Sequence, residues 1–306
     1  MLDCQKLNNK RLPTVSLAHE YTFVCKQSGL SLIELMIALA LGVFIVAGIF
    51  QATTGSKQAF EVIQAQSTTQ ETGRFATQFV ADTTRNAGYI NLGSIQQASG
   101  DAFAQELIDA LEFSENKNTQ WKQVSGFSAG AVIAGGDDAS VGGYADAIAG
   151  SDFLTVRMQG DGSYDDATRF SMSDCEGRML ASDVDTTTVI HYYVSDSKTL
   201  VCRVDLVGAT NSTGSVVELV SGVEEMQIVY AVREQGGAVS FKRATDVDAD
   251  EWREISSIRL AFLSVSDNQP LDAGLNREFD MLGETRQDAG DGRVRQVFYQ
   301  TIAVRN

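Results

Sequence analysis

The sequence predicts an α+β protein: one long N-terminal α-helix followed by a C-terminal antiparallel β-sheet domain. Three observations carry this expectation. Residues 30–50 are an apolar run of 21 residues with a single charge, Glu34. Residues 51–87 contain no proline and repeat small or apolar side chains at intervals of mostly three and four. From residue 151 onward, short β-branched or alternating runs recur between turn residues, with no long helical pattern among them.

The apolar run comes first. A helix needs about 20 apolar residues to cross ~30 Å of hydrocarbon, and residues 30–50 meet that length. Glu34 is the anomaly. A lone carboxylate deep in a membrane helix costs at least ~2.5 kcal/mol on insertion scales, which marks it as functional unless a partner or the headgroups accommodate it. Lysines and arginines precede the run and few follow it closely, which orients the helix with its N-terminus in the cytoplasm.

The helix is expected to continue past the membrane to about residue 88. Ala59, Phe60, Ile63, Gly73, Ala76, Phe79, Val80 and Ala87 fall on one face, and the remaining positions are Gln, Thr, Ser and charged residues. Gly42, Gly48 and Gly55 weaken the helix locally and offer small contact points for neighbouring helices. Gly88 is a good stop, since glycine tolerates left-handed backbone.

Residues 91–150 are rich in Ala, Gly and Ser. A short helix is expected at 101–113, with Phe103, Leu107, Ala110 and Leu111 on one side, and the glycine-dense stretch 126–150 reads as loop. Strands are predicted at 152–158, 187–194, 200–206, 216–220, 225–232, 255–265 and 295–304. Their even spacing without intervening long helices favours an antiparallel sheet.

Four cysteines are present. Cys4 and Cys25 precede the apolar run; beyond it only Cys175 and Cys202 remain. On the exported side of a membrane, two cysteines predict one disulfide. Closing the 175–202 loop is worth roughly 3–4 kcal/mol by chain entropy. Two thiolates alone do not make a zinc site.

Lys26 and the block Gly29-Leu30-Ser31-Leu32-Ile33-Glu34, at the head of the apolar run, resemble the class III signal of type IV pilins. The resemblance implies that a prepilin peptidase cuts after Gly29 and methylates the new N-terminus at Leu30. The family more often has Phe or Met there, so Leu30 is a mild departure. Major pilins also usually carry a helix-bending proline in the segment that follows, and this chain has none.

Further blocks resemble the PilW-type minor pilins. They are Asp82 with Arg85, Gly88 and Tyr89 at the helix end, Val223 to Tyr230, Ile258 to Leu263, and the closing Arg293-Val294-Arg295-Gln296-Val297-Phe298-Tyr299 with the residues after it.

The chain is accordingly identified as resembling a type IV pilus minor pilin of the PilW family, with the type IV pilin fold. That implies a cleaved leader (1–29), an N-terminal helix (30–88, of which 30–50 is transmembrane and later filament core) and a periplasmic, then extracellular, β-rich head (89–306). It further implies a non-enzymatic subunit without cofactor or metal, held in the inner membrane and then in the pilus. The partners implied are the prepilin peptidase, other minor pilins and the major pilin through the helix, and a large tip adhesin. Glu34 would set subunit register by meeting a neighbour's N-terminal amine. A minor pseudopilin of type II secretion shares the signal and is the alternative.

Charge narrows the partners. The chain has 24 basic and 40 acidic residues, a net −16. Residues 1–29 hold Lys6, Lys10, Arg11 and Lys26 against Asp3 and Glu20, so the remainder carries 20 basic and 38 acidic residues, a net −18. Such a surface repels nucleic-acid backbone, and no direct nucleic-acid binding is expected.

Several other motifs have plainer readings. Gly126-Phe127-Ser128-Ala129-Gly130 matches the G-x-S-x-G elbow of α/β-hydrolases, and His191 would follow in triad order, giving a remote alternative of a membrane-anchored serine hydrolase. The elbow needs a helix after the serine, and Gly135-Gly136-Asp137-Asp138 is a poor one. His191 lies within a β run and reads as one face of a strand. Asp246-Val247-Asp248-Ala249-Asp250 opens like a calcium loop, but the sixth and twelfth positions are Glu251 and Ser257 where Gly and Glu are wanted. Asp161 to Asp166 is similarly incomplete. Asn211-Ser212-Thr213 is a glycosylation-type triplet of the kind common by chance.

Overall fold

The computed structural model describes residues 3–4, 25–26, 29, 31–90, 127–128, 130–160, 172–180, 186–207, 214–234, 236–270, 274 and 276–304. The short helix expected at 101–113, the acidic stretch 161–166 and the triplet 211–213 lie outside these residues. Contacts divide the chain into two units, Met1–Ala59 and Phe60–Asn306.

In the first unit, β1 (Asp3–Cys4) pairs antiparallel with β2 (Cys25–Lys26). Helix α1 (Leu32–Thr84) begins here and ends in the second unit. It is long and apolar enough to cross a membrane, and from Leu32 to Ala59 no side chain is buried.

The buried stripe of α1 starts at Ala65 and runs through Thr69, Thr72, Gly73, Ala76, Val80, Ala81 and Thr84. These are small residues at helical spacing, so the helix lies close on the sheets beneath it. At Gly73 the approach is closest: a Cβ there would fall inside the Phe298 ring. Residues 85–88 form a turn in which Gly88 is left-handed (φ 79°) and donates its N–H to the Arg157 carbonyl at 3.0 Å. The chain thereby leaves the helix and joins the sheet.

The second unit holds two larger antiparallel sheets. One has the order β3 (Ile133–Gly136), β4 (Phe153–Met158), β5 (Thr187–Val194), β6 (Thr199–Val207), β7 (Ser215–Ser221). The other has the order β13 (Arg295–Ala303), β10 (Ile255–Val265), β8 (Val223–Arg233), β9 (Val239–Lys242). A separate hairpin is formed by β11 (Glu278–Met281) and β12 (Glu284–Gln287).

The chain changes sheet at Gly222, between β7 and β8. Gly222 has φ 80°, its carbonyl accepts from Val265 N–H, and a Cβ would press on the Val265 carbonyl. One hydrophobic core is shared by the helix and both sheets, with Ala76 and Val80 against Leu154, Ile190 and Tyr192 from one sheet and Met226, Ile258 and Phe262 from the other. β5 is buried along nearly its whole length because its second face is covered too. Tyr144 of the 138–150 segment stacks on Tyr193 there at 4.5 Å.

The glycine-dense stretch 126–150 is not all loop, contrary to expectation. Residues 133–136 form β3, paired with β4. Glycine is required at this place, because a Cβ on Gly135 would collide with the Tyr230 hydroxyl.

A buried ion-pair cluster ties the end of β8 to β13. Arg295 binds Glu224 (2.6 Å), Asp288 (3.0 Å) and Asp291 (2.7 Å), and Lys198 binds Glu224 from the other side at 2.6 Å. Burial favours the neutral acid at Glu224, but the hydrogen bonds from Arg295 and Lys198 prevail and hold its carboxyl below its ordinary range.

Candidate functional site on the N-terminal helix

Gly29 precedes the helix and is exposed, and nothing lies within 4 Å of where its Cβ would be. Leu30, the residue that would carry the methyl group, lies outside the described residues. Glu34 sits in the first turn of α1 and is exposed. Its N–H and that of Leu35 donate to the Ser31 carbonyl at 3.0 and 3.2 Å, so Ser31 stands at the N-cap and Glu34 at the third helical position. Ser31-Leu32-Ile33-Glu34 is therefore a capping-box sequence at the helix start, a signal present in the sequence that a search for membrane charge alone overlooks. A carboxylate here also meets the positive end of the helix dipole. Gly42, Gly48 and Gly55 have nothing within 4 Å of an added Cβ. A second helix could approach any of them closely.

Cys175 and Cys202 are joined as a disulfide, with their Cα atoms 6.5 Å apart. Cys202 is buried on β6. Cys175 lies in a turn held by Asp174, whose carboxylate accepts from the N–H groups of Glu176 (2.9 Å) and Arg178 (2.8 Å). The bridge pins this turn to the five-stranded sheet.

Ser128 and His191 do not form a triad. Ser128 accepts from Ala131 N–H in a turn that leads into strand β3, where an elbow would need a helix. His191 has other partners. Its Nδ1 is 2.8 Å from the Tyr144 hydroxyl and 2.9 Å from the Thr155 hydroxyl, and its Nε2 is 3.2 Å from Asp205. Burial pulls its pKa down to about 4, against the opposing pull of Asp205, so it is neutral at pH 7. Among the described residues, neither of two surface cavities includes this group. In the 246–250 stretch, the Asp248 N–H is bonded to Glu251, and Glu251 is paired with Lys242 at 2.6 Å.

The comparisons with known proteins fall on both ends of the chain. Residues 25–50 match the prokaryotic N-terminal methylation motif. Residues 191–306 match the family described as Type IV Pilus-assembly protein W. The C-terminal region thus carries the pattern of the PilW family, and the N-terminal region carries a prepilin-type motif. Among solved structures, the chain resembles a type IV-like pilin from Thermus thermophilus at 13% identity, over 50% of this chain and 78% of that one, with a TM-score of 0.29. No curated protein matches.

The methylation motif contains Gly29, Leu30 and Glu34. The PilW region begins inside β5 and takes in β6 to β13, so it contains the whole four-stranded sheet, the β11–β12 hairpin and Cys202. Cys175 and the helix end at Asp82 to Tyr89 fall outside it. That end is nevertheless built as a docking joint. Arg85 pairs with Asp82 at 2.6 Å, Ala87 is buried, and Gln159 N–H donates to the Tyr89 carbonyl at 2.9 Å.

Proposed function

We propose that this protein is a minor pilin that starts type IV pilus assembly in a small complex with other minor pilins, at or near the filament tip. One observation carries the reading: a prepilin methylation motif heads an apolar helix with no buried side chain up to Ala59, and a PilW domain follows. Apolar surface of that extent is stable only in a membrane or among other helices. The prepilin peptidase cuts between Gly29 and Leu30 and methylates Leu30. The protein waits in the inner membrane with its head in the periplasm, and α1 then packs beside the helices of other minor pilins and of the major pilin. A large non-pilin adhesin is a further partner at the tip.

Glu34 carries the register step. Cleavage creates an amine at Leu30, one helical turn from Glu34 on the same chain. In a neighbouring subunit the same amine is positive and can meet Glu34 in low dielectric, where attraction is far stronger than in water, though desolvation takes back much of it. The pair thus specifies an axial step more than it adds affinity.

Glu34→Val tests this against the capping role described above. The variant is expected to be cleaved and inserted normally, to fail to co-purify with partner minor pilins, and to leave cells poorly piliated. A Glu34→Gln variant keeps the capping-box sequence and loses the charge; it should fail in the same way. Normal piliation with Glu34→Gln would reduce Glu34 to a helix cap. N-terminal sequencing that finds a mature start other than Leu30, or full processing of Gly29→Val, would overturn the assigned cut.

A further inference from the structure

The outer face of the four-stranded sheet carries a groove of about 770 Å³ that no part of the pilin role uses. Its floor is a register row across three strands, Val229 on β8, Arg259 on β10 and Thr301 on β13. One wall is Phe241 of β9 with Asp246 beyond it; the other is Tyr299 with Asp280 and Leu282 at the tip of the β11–β12 hairpin. The volume is that of a small-ligand site.

Three features point to a ligand. First, two arginines line the groove: Arg243 is held by Glu284 at 3.0 Å, while Arg259 is exposed at the centre and has no ion-pair partner among the described carboxylates. Its guanidinium lies 4.8 Å from the centroid of Phe241, so the ring holds the plane and leaves the N–H fork free for a planar anion. Second, Phe241 and Tyr299 are each about half exposed on opposite sides of that fork. The Tyr299 hydroxyl donates to the Asp280 carbonyl, which fixes the ring. Third, Leu282 is left-handed (φ 60°) and is followed by Gly283 at φ 97°. Positive φ at both residues makes the tight two-residue turn between β11 and β12, which sets Leu282 at the edge of the groove as an apolar contact.

We propose that this groove binds an acidic sugar, a uronate-type unit of an anionic polysaccharide. Its carboxylate meets Arg259 in a two-pronged pair, its apolar ring face lies on Phe241 or Tyr299, and its hydroxyls donate to Asp246 and Asp280. An acidic peptide fits less well. The floor strands β8 and β10 are paired on both sides, so the face offers an extended peptide no backbone hydrogen bonds. The two carboxylates on the rim suit the hydroxyls that every sugar unit carries and that Asp and Glu side chains lack.

The test is titration calorimetry of the full chain in detergent with digalacturonate, neutral digalactose and an Asp/Glu-containing pentapeptide. Digalacturonate is expected to bind saturably and more weakly as salt rises, with digalactose about tenfold weaker, the factor that ~1.4 kcal/mol of charge-assisted pairing provides. Arg259→Gln and Phe241→Ala should each lower digalacturonate affinity by a similar factor while the melting temperature holds. Equal binding of the two sugars, no saturation by either, unchanged affinity in Arg259→Gln, or a peptide that outcompetes digalacturonate each overturns the proposal.

Discussion

At the scale of single residues, the most consequential side chain is one the sequence does not flag. Asp152 is buried where β4 meets β8, and its Oδ2 accepts from Ile228 N–H at 2.7 Å. Burial pushes its pKa up from 3.8 to about 8. Between those values the folded protein holds a proton that the unfolded chain has released. Stability contributed by this group is therefore full at low pH and is lost as pH rises toward about 8. Asp152→Asn keeps an oxygen for Ile228 and cannot ionise. The variant is expected to match the wild type near pH 4 and to exceed it above pH 8 by on the order of a few kcal/mol. Urea unfolding of both proteins from pH 4 to 9 checks this, and parallel curves would refute it. Nothing in the sequence separates Asp152 from Asp137 or Asp138. Burial alone distinguishes them, and burial is set by strands far apart in the chain.

Elements were far more legible than residues. The period of 3.6 and the absence of proline placed the helix, and β-branched runs placed β4, β5, β6, β7, β8, β10 and β13 within a few residues. Two-residue β1 and β2 were missed, and in the second unit so were strands β3, β9, β11 and β12. Those of the second unit are four residues each, too short for an alternation to declare itself, and β3 is held by what packs on its glycines. Gly73 makes the same point within the helix. Gly→Ala in a helix ordinarily stabilises by about 1 kcal/mol. At Gly73 the new methyl would enter the Phe298 ring, so Gly73→Ala is expected to destabilise by roughly 1–3 kcal/mol, as overpacking does. Gly55, where a Cβ meets nothing, is the control, and Gly55→Ala should not destabilise. Chemical denaturation distinguishes the two, and a stabilised Gly73→Ala would mean that Phe298 moves aside freely.

For the whole molecule, stability rests on one core beneath the helix and on links that hold distant segments to it. The Cys175–Cys202 bridge closes a long loop and acts chiefly on the unfolded chain. Replacing both cysteines with serine should cost about 2–5 kcal/mol and lower the amount of protein before it alters assembly. Thermal melting with and without reductant gives the first number, and immunoblotting of the double variant gives the second. Two freely reactive thiols in unreduced protein would show that the bridge does not form in the cell.

The sequence by itself determined the helix, the order of the main strands, the membrane-length apolar run with its single carboxylate, and the resemblance to pilins. These depend on neighbours in the chain, on spacing and on local composition, which a linear text preserves. Only the tertiary structure decided which aspartate is buried, that His191 faces Tyr144, Thr155 and Asp205 and not Ser128, that Gly73 and Gly135 are points of closest approach, and that Arg259 lies over the Phe241 ring with no ion-pair partner among the described residues. Each of these depends on residues brought together from distant positions, and the free energy of such a meeting is set by packing and burial that no single segment encodes.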